Sequence, residues 1–554
     1  MAGGLFNIVA VGNANVILMG TPAMSFFKVA YTKHINFGLQ KFRIDYDGLR
    51  TLRLTEPSTF QFKIPRYADL LMDTYVSVAL PDIFSPIYHP CNDTGNRWVP
   101  YDFRWIRHLG TSMIREVSIT CGGALLQRYS GAYLAAMVER DFTSEKKELF
   151  ESMSGHAPEL NDPANAFGRI NAYPSSYYAG EDKTAEPSIR GRYLYIPLNT
   201  WFTLDSRCAF PLVALQYVDL YVTVTFRPIQ ELFQVRDVFD FDNNYPYVQP
   251  DFNSTQFQMH RFLQTPPSPD LSPASYGNTN GVWNADIHLV STFCFLDDTE
   301  RKNMALESHA YLVKDVFEYT FENIVGTRRV PLTSSGMVSS WMWFFQRNDA
   351  FMRNEWSNYT NWAYSGIMPV DIGVPPSDKV TVSDGFRDVL VSGPLMQPTG
   401  LNTGIYITGE STTDNVAEIM QSMGIVLNGD YRETTLESGI FNYVEKYVRT
   451  KGHAKNGLYC YQYCLQTDPA QYQPSGAINL SKFKTVEIEF TTIQPTFDAN
   501  RSAVRVVCDG NGDPIGVEKS NWRLYDYTYN VTVFEERYNV LSIIGGNCAM
   551  LYAR

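Results

Sequence analysis

Apolar residues occupy every second position in several short runs of this chain, at residues 60–64, 218–226, 486–490 and 525–533. Successive side chains of a β-strand point to opposite faces, so each run predicts a strand with one buried face. The runs fall on both sides of a loop-rich middle region. This arrangement favours two antiparallel β-sandwiches within one chain of 554 residues.

Helical and loop signals divide the rest of the chain. The best helical pattern lies within residues 131–153, which we interpret as an excursion between strands. Clustered proline and asparagine predict a linker and loop region over residues 229–284. A second loop-rich stretch, residues 346–452, predicts long outer loops, because long irregular segments are usually exposed.

Charge argues against one broad class of function. The chain has 46 Lys and Arg against 58 Asp and Glu, which gives a formal net charge of −12, and its basic residues form no run longer than a pair. A nucleic-acid-binding protein needs a basic surface that displaces counterions from phosphates. Direct binding to nucleic acid is therefore not expected.

The first 27 residues carry no charged side chain. A secretory signal would need a basic segment before the apolar stretch, and polar residues and glycines interrupt that stretch before it reaches the length of a membrane span. We therefore expect residues 1–25 to form an N-terminal arm that packs on its own domain or on a neighbour. The eight cysteines contain no Cys-x-x-Cys pair, so free thiols in a reducing compartment are expected.

The sequence has no His-Glu-x-x-His zinc motif, no Gly-x-Ser-x-Gly nucleophile elbow and no phosphate-binding glycine loop. We therefore expect no enzyme activity, no cofactor, and neither catalytic nor metal-ligating residues. Asn-x-Ser/Thr sequences leave four weak glycosylation candidates, which are Asn92, Asn253, Asn358 and Asn500. Without a secretory signal, glycosylation at these positions is not expected.

Three ordered motifs carry a resemblance to a known family. The first comprises Phe26, Phe27, Lys28, Tyr31, His34, Asn36 and Phe37; the second is Gly122-Gly123; the third comprises Gln473, Pro474, Ser475, Gly476, Asn479 and Ser481. With these motifs the chain resembles the major capsid proteins of nucleocytoplasmic large DNA viruses. It departs from the family pattern at Thr32-Lys33, where two arginines are usual, and at Ser542, where arginine is common.

The resemblance implies an all-β fold: a double jelly roll of two eight-stranded antiparallel β-sandwiches, with long loops and a few short helices. We expect the first jelly roll at residues 26–228, the second at residues 285–540, and a C-terminal tail at residues 541–554. The implied function is that of a structural major capsid protein. Its homotrimers would be pseudo-hexameric capsomers that tile the icosahedral shell of a large double-stranded DNA virus.

Partners and location follow from the same resemblance. It implies a homotrimer, a lattice of such trimers, and contacts with minor capsid proteins, penton proteins and the internal viral membrane. It places the protein in the virion capsid, after synthesis and assembly in the host cytoplasm. Two alternatives remain open on the sequence. One is a capsid-like assembly scaffold, and the other is a β-sandwich carbohydrate-binding protein or enzyme, which an aromatic content of 14% would suit.

Overall fold

The computed structural model describes residues 20–88, 99–177, 184–240, 245–267, 276–367, 369, 380–383, 388–391, 413–495, 504–508, 514–519, 521–524 and 526–552. Strands dominate this part of the chain, and the sheets are antiparallel.

The strands of the first half of the chain are β1 Phe37–Asp45, β2 Ser58–Lys63, β3 Leu70–Ala79, β4 Ile87–Tyr88, β5 Val99–Pro100, β6 Phe103–Trp105, β7 Ile114–Cys121, β8 Ala124–Tyr129, β9 Tyr193–Pro197, β10 Phe210–Pro211, β11 Leu220–Phe226, β12 Phe233–Arg236, β13 Tyr247–Val248 and β14 His288–Leu296. Those of the second half are β15 His309–Ile324, β16 Thr327–Leu332, β17 Met337–Arg347, β18 Val380–Ser383, β19 Asp388–Val391, β20 Met420–Leu427, β21 Asp430–Glu437, β22 Leu458–Gln462, β23 Ile478–Asn479, β24 Val486–Thr492, β25 Val504–Cys508, β26 Pro514–Lys519, β27 Tyr529–Ile544 and β28 Asn547–Met550.

The α-helices are short: α1 Leu109–Met113, α2 Gly131–Asp141, α3 Ser144–Ser154, α4 Pro158–Asn161, α5 Trp201–Leu204, α6 Asp298–Leu306 and α7 Glu445–Arg449. Helices α2 and α3 confirm the helical excursion predicted within residues 131–153. Ser130 caps α2, because its side chain accepts a hydrogen bond from the backbone N–H of Tyr133. Among the described residues, none of the helices has the length and apolar character needed to cross a membrane.

Two sandwiches are built on the same plan. The first packs the sheet of order β1-β14-β3-β10, with β9 also paired to β3, against the sheet of order β2-β11-β7-β8. Phe62 and Phe293, from opposite sheets, share its core. The second packs β15-β27-β17-β22, extended by β23 and β28, against β16-β24-β20-β21. Trp343 and Ile488 share the second core in the same way. The predicted all-β fold of two antiparallel sandwiches is confirmed.

The alternation in the sequence is visible in the burial of three predicted strands. Along β2, β11 and β24, every second side chain is buried. The fourth predicted run, 525–533, is only partly strand, because β27 begins at Tyr529. From there β27 continues for 16 residues and pairs with β15 on one side and β17 on the other.

Long-range strand pairing moves two of the expected domain boundaries. Strand β14 falls within residues 285–540, yet it lies between β1 and β3, with Phe37 opposite Leu296 and Ser77 opposite His288. It therefore belongs to the first sandwich, where it satisfies backbone groups that β1 and β3 would otherwise leave unpaired. The expected tail is also corrected, since β27 runs to Ile544 and β28 pairs with it.

Strands also occur where loops were expected. Within residues 229–284, β12 pairs with β6 and β13 in a small sheet, and its apolar side chains are buried. Within residues 346–452, β20 and β21 complete a sheet of the second sandwich, because Met423 and Ile425 fill its core. Most of residues 370–412 lies outside the described residues.

Candidate functional site

The first motif lies on an exposed segment that precedes β1. Residues 24–36 contain no helix or strand, and the side chains of Phe26 and Phe27 are 90% and 100% exposed. Tyr31 is 88% exposed, while Lys28, His34 and Asn36 are also exposed, and Phe37 begins β1. The His34 ring contacts the backbone oxygen of Ile35 through Nδ1 at 2.9 Å. The segment therefore presents an apolar surface that no other described part of the chain covers. The arm expected at residues 1–25 lies outside the described residues as far as residue 19.

The second motif makes the tight turn between β7 and β8. Gly122 and Gly123 have φ of 57° and 85°, a left-handed conformation that glycine adopts without strain. A Cβ at Gly122 would lie 2.5 Å from Cγ1 of Val218, so close packing also requires glycine there. The structural role expected for this pair agrees with its position.

The third motif fastens a loop to the second sandwich. Ser481 Oγ accepts a hydrogen bond from the Gly336 N–H at 2.7 Å, and Asn479 Oδ1 accepts one from the Ser481 N–H at 3.1 Å. Ser475 Oγ donates to the backbone oxygen of Gln466 at 2.9 Å. Gln473, Pro474 and Gly476 are exposed beside these contacts. Each of the three motifs thus makes contacts only with residues near it, and the three motifs do not come together in one site.

A buried ion cluster lies at the seam between the sandwiches. We define the seam as the contacts that α2 and the β6–β12 region make with the second half of the chain. Arg140 of α2 places Nη2 2.7 Å from Asp141 Oδ2 and 2.8 Å from Glu536 Oε1, on β27. Tyr133 OH and Ser340 Oγ each donate to Glu536 at 2.7 Å. Burial alone would raise the pKa of Glu536, but Arg140 and these hydrogen bonds lower it to about 2.

A second cluster at the seam fixes the loop that follows β17. Asp349 Oδ1 lies 2.9 Å from Arg353 Nη2, and Asp349 Oδ2 lies 2.6 Å from Arg347 Nη2. Burial would raise the pKa of Asp349, but the two guanidinium groups hold it well below its usual range. Asn354 Nδ2 then donates to the backbone oxygen of Phe233, in the first half, at 2.8 Å. The two clusters bind the sandwiches into one unit.

One cavity lies at the seam beside a pair of stacked histidines. The cavity has a volume of about 160 Å³, and its lining includes His108, Glu139, Glu318 and Lys455. The rings of His108 and His156 stack with centroids 4.0 Å apart. Burial lowers the pKa of His156 to about 4 and that of His108 well below its ordinary value, and Lys455 adds to both shifts.

Sequence reasoning did not bring these histidines together. With Glu151 they form a group whose potential ligand atoms lie within 4.8 Å of one another. However, His156 Nδ1 accepts the backbone N–H of His108 at 3.3 Å, and three cations, Lys455, Arg107 and Lys147, act on this pair. This environment disfavours a bound metal cation. Residues 108, 151 and 156 are too widely spaced to form a recognisable ligand motif.

The glycosylation candidates differ in exposure. Asn358 is buried, and its Nδ2 donates to the backbone oxygen of Trp362 at 2.8 Å, which leaves no room for a sugar. Asn253 is exposed, although its Nδ2 is bonded to Asp251 at 2.9 Å. Asn92 and Asn500 lie outside the described residues.

Comparison with known proteins identifies related sequences. Two family models match, the major capsid protein N-terminus over residues 25–264 and the large eukaryotic DNA virus major capsid protein over residues 300–549. The major capsid protein of Phaeocystis pouchetii virus is 24% identical over 91% of this chain and 96% of its own length. That of Paramecium bursaria Chlorella virus 1 is 22% identical over the whole of both chains. Capsid protein 1 of Acanthamoeba polyphaga mimivirus is 26% identical over 59% of this chain, but over only 45% of its own length.

Solved structures share the fold. A chain of the PBCV-1 virus capsid superposes with a TM-score of 0.59 at 17% identity, covering 96% of this chain and 100% of that one. The Faustovirus major capsid protein gives a TM-score of 0.57 at 12% identity, covering 98% and 96%. The matched family is structural, which confirms that the protein is not an enzyme and sets aside the carbohydrate-active alternative. The two matched models together span nearly all of the sequence, and the chain belongs to the major capsid proteins of large eukaryotic DNA viruses.

Proposed function

We propose that three copies of this chain form a capsomer of pseudo-hexagonal outline and that such capsomers tile the icosahedral shell of the virion. This proposal is carried by one observation. The chain contains two sandwiches with the same arrangement of sheets, and buried ion pairs at the seam hold the two together. Because the seam holds the two sandwiches in one orientation, three chains would present six similar sandwiches around a threefold axis. A six-sided unit can cover a flat lattice with one repeated contact.

Each part of the chain has its own role in this proposal. The first jelly roll, residues 26–228 completed by β14, and the second, residues 285–540 without β14, are the walls of the capsomer. Residues 346–452 supply its outer loops, apart from β20, β21 and the buried seam residues Asp349, Arg353 and Asn354. The arm, residues 1–25 with the exposed segment that follows, lies at the base. There its apolar side chains contact neighbouring copies, minor capsid and penton proteins or the internal viral membrane.

The oligomeric state tests the proposal directly. Light scattering of the purified protein at micromolar concentration should give three times the chain mass of 63.0 kDa. An obligate interface of this kind should bury more than roughly 2,000 Å², so the trimer should resist dilution. A stable monomer at that concentration contradicts the proposal.

The protein is a component of the virion capsid, as its family indicates. We place its assembly in the host cytoplasm, which imaging of the labelled protein in infected cells would test. Gel analysis of purified particles addresses the remaining alternative. A shell protein is the dominant band in mature particles, whereas an assembly scaffold would be absent from them.

A further inference from the structure

The first half of β1 is an uncovered edge of its sheet. Among the described residues β1 pairs with β14 alone, so its other edge is free. Residues 37–41 are exposed on both faces of the strand, whereas Ile44, further along, is buried. Phe37 and Leu39 lie on the same face and are 56% and 54% exposed. The start of β1 therefore presents backbone hydrogen-bonding groups and apolar side chains that no other described part of the chain uses.

Other edge strands of the molecule carry groups that oppose pairing. Strand β21 has four charged residues, and β16 has two arginines and Pro331. Charged side chains and proline are the devices by which proteins keep a sheet edge from pairing with another chain. Residues 37–40 contain neither a charge nor a proline. The start of β1 thus lacks this protection, as fits an edge that is paired in the assembled protein.

Gly38 lies in the middle of this unprotected edge. Its φ is not positive, and a Cβ built on it would meet no described atom within 4 Å. Neither the turn of the backbone nor packing within the described chain therefore calls for glycine here. Glycine weakens the interior of a strand, and in strands it often marks a place where another backbone approaches closely. Gly38 fits the approach of a further strand to β1.

The N-terminal arm contains a segment suited to that position. Residues 5–11, with the sequence Leu-Phe-Asn-Ile-Val-Ala-Val, include no charge, no glycine and no proline, and three of the seven are β-branched. Such a composition favours a β-strand. Because residues 37–40 are also uncharged, pairing of the two segments would leave no charge without a partner between them.

The residues between the arm and β1 lead away from their own sandwich. Residues 20–36 are all exposed. Within the described part of the chain, the side-chain hydrogen bonds of this segment are local, such as that of Ser25 Oγ, which accepts the N–H of Phe27 at 3.2 Å. When fully extended, 17 residues span roughly 55 Å. The segment is therefore long enough to carry the arm to an adjacent copy.

We propose that residues 5–11 of one copy add as a strand to the free edge of β1, at residues 37–40, in a second copy of this chain. This inference rests on the proposed function, because it requires copies that stand side by side. The added strand supplies hydrogen-bond partners to the edge and covers part of Phe37 and Leu39. Each copy has one arm and one such edge, so three exchanges around a threefold axis would leave neither unpaired.

The test places a photocrosslinker on the arm of the full-length protein. p-Benzoylphenylalanine replaces Phe6, the purified protein is irradiated, and the products are separated on a denaturing gel and mapped by mass spectrometry. We expect covalent dimers in which residue 6 is joined to residues 37–45 of another copy. The proposal is overturned if residue 6 reacts only within its own chain, or if the dimers are joined at other residues.

Two leucine variants show whether the edge itself is required. Leu39→Lys gives β1 the kind of charge that protects other edge strands, and it should lower the yield of this crosslink about tenfold. Leu49→Lys makes the same change at a leucine that is 84% exposed beyond the end of β1, and it should leave the yield unchanged. Equal yields from the two variants contradict the proposal. Should either variant fail to fold, the crosslink map of the protein with native Leu39 still decides the outcome.

Light scattering of the same sample separates this inference from the proposed function. A trimer in which residue 6 crosslinks elsewhere contradicts the strand exchange and leaves the capsomer intact. A stable monomer contradicts the capsomer, and the strand exchange with it.

Discussion

Arg140 of the first sandwich and Glu536 of the second form an ion pair of 2.8 Å in which both side chains are buried. Neither charge can be hydrated unless the seam opens, and on its own sandwich Arg140 is also paired with the buried Asp141 at 2.7 Å. Such a pair contributes little net stability compared with apolar packing, but removing one partner leaves the other charge buried and uncompensated. The pair therefore fixes the orientation of the sandwiches more than it adds to their stability.

Removal of the Arg140 side chain should be strongly destabilising. In Arg140→Ala, Asp141 and Glu536 stay buried without their counter-ion, so we expect a loss of about 3–5 kcal/mol in the free energy of unfolding. Denaturant unfolding followed by tryptophan fluorescence measures the change. The matched control is Arg190→Ala, which breaks an exposed pair with Glu186 and should cost less than about 1 kcal/mol. Equal costs for the two variants would contradict the role assigned to the seam.

Lowering the pH should reduce the folding stability of the protein, because the buried, stacked histidines resist protonation in the folded state. The pKa of His156 is lowered from 6.5 to about 4, so the unfolded chain binds more protons between these values, and stability falls as the pH is lowered through that window. In His156→Gln this part of the pH dependence should disappear, because glutamine can keep a polar contact but cannot be protonated.

Thermal unfolding of the two proteins from pH 7 to pH 4 provides the comparison. His34→Gln is the control, since that ring is exposed in the segment before β1 and should leave the wild-type profile unchanged. An identical slope in His156→Gln and wild type would show that other groups govern the acid sensitivity.

The exposed phenylalanines should matter for assembly and not for folding. Phe27 is fully exposed, so Phe27→Asp should change the stability of the isolated protein by less than about 0.5 kcal/mol. A charge at this position should nevertheless reduce the yield of shells seen by electron microscopy. Thr21→Asp adds the same charge at another exposed position and is the control. Normal shells from Phe27→Asp would argue against an apolar contact at this residue.

Proteolysis should distinguish the outer loops from the sheets. In intact particles we expect the first cuts within residues 346–452, outside β20, β21 and the buried seam residues Asp349, Arg353 and Asn354. Irregular exposed backbone is the preferred substrate of proteases. Cuts within β24 or β27 should come later, since these strands are paired on both sides. Mass spectrometry of the early fragments locates the sites, and early cleavage in those two strands would contradict the expectation.

The sequence predicted the strands better than it predicted their partners. Strand β11 could be recognised because its apolar residues alternate, and the structure buries them on one face. Strand β14 was assigned to the wrong sandwich because pairing with β1 depends on contacts between distant parts of the chain, which alternation does not encode. The same limit applies to the seam. Arg140 and Glu536 are separated by most of the sequence, and neither lies in a pattern that indicates burial.

The position of β14 also sets an order for folding while the chain is being synthesised. In the sheet β1-β14-β3-β10 it is an interior strand, hydrogen-bonded on both edges. When residues 1–284 have emerged from the ribosome, the first sandwich therefore still lacks an interior strand of this sheet. The sheet is complete only when the residues up to Leu296 have emerged from the ribosome. Folding of the first sandwich therefore cannot finish before synthesis has reached the start of the second sandwich.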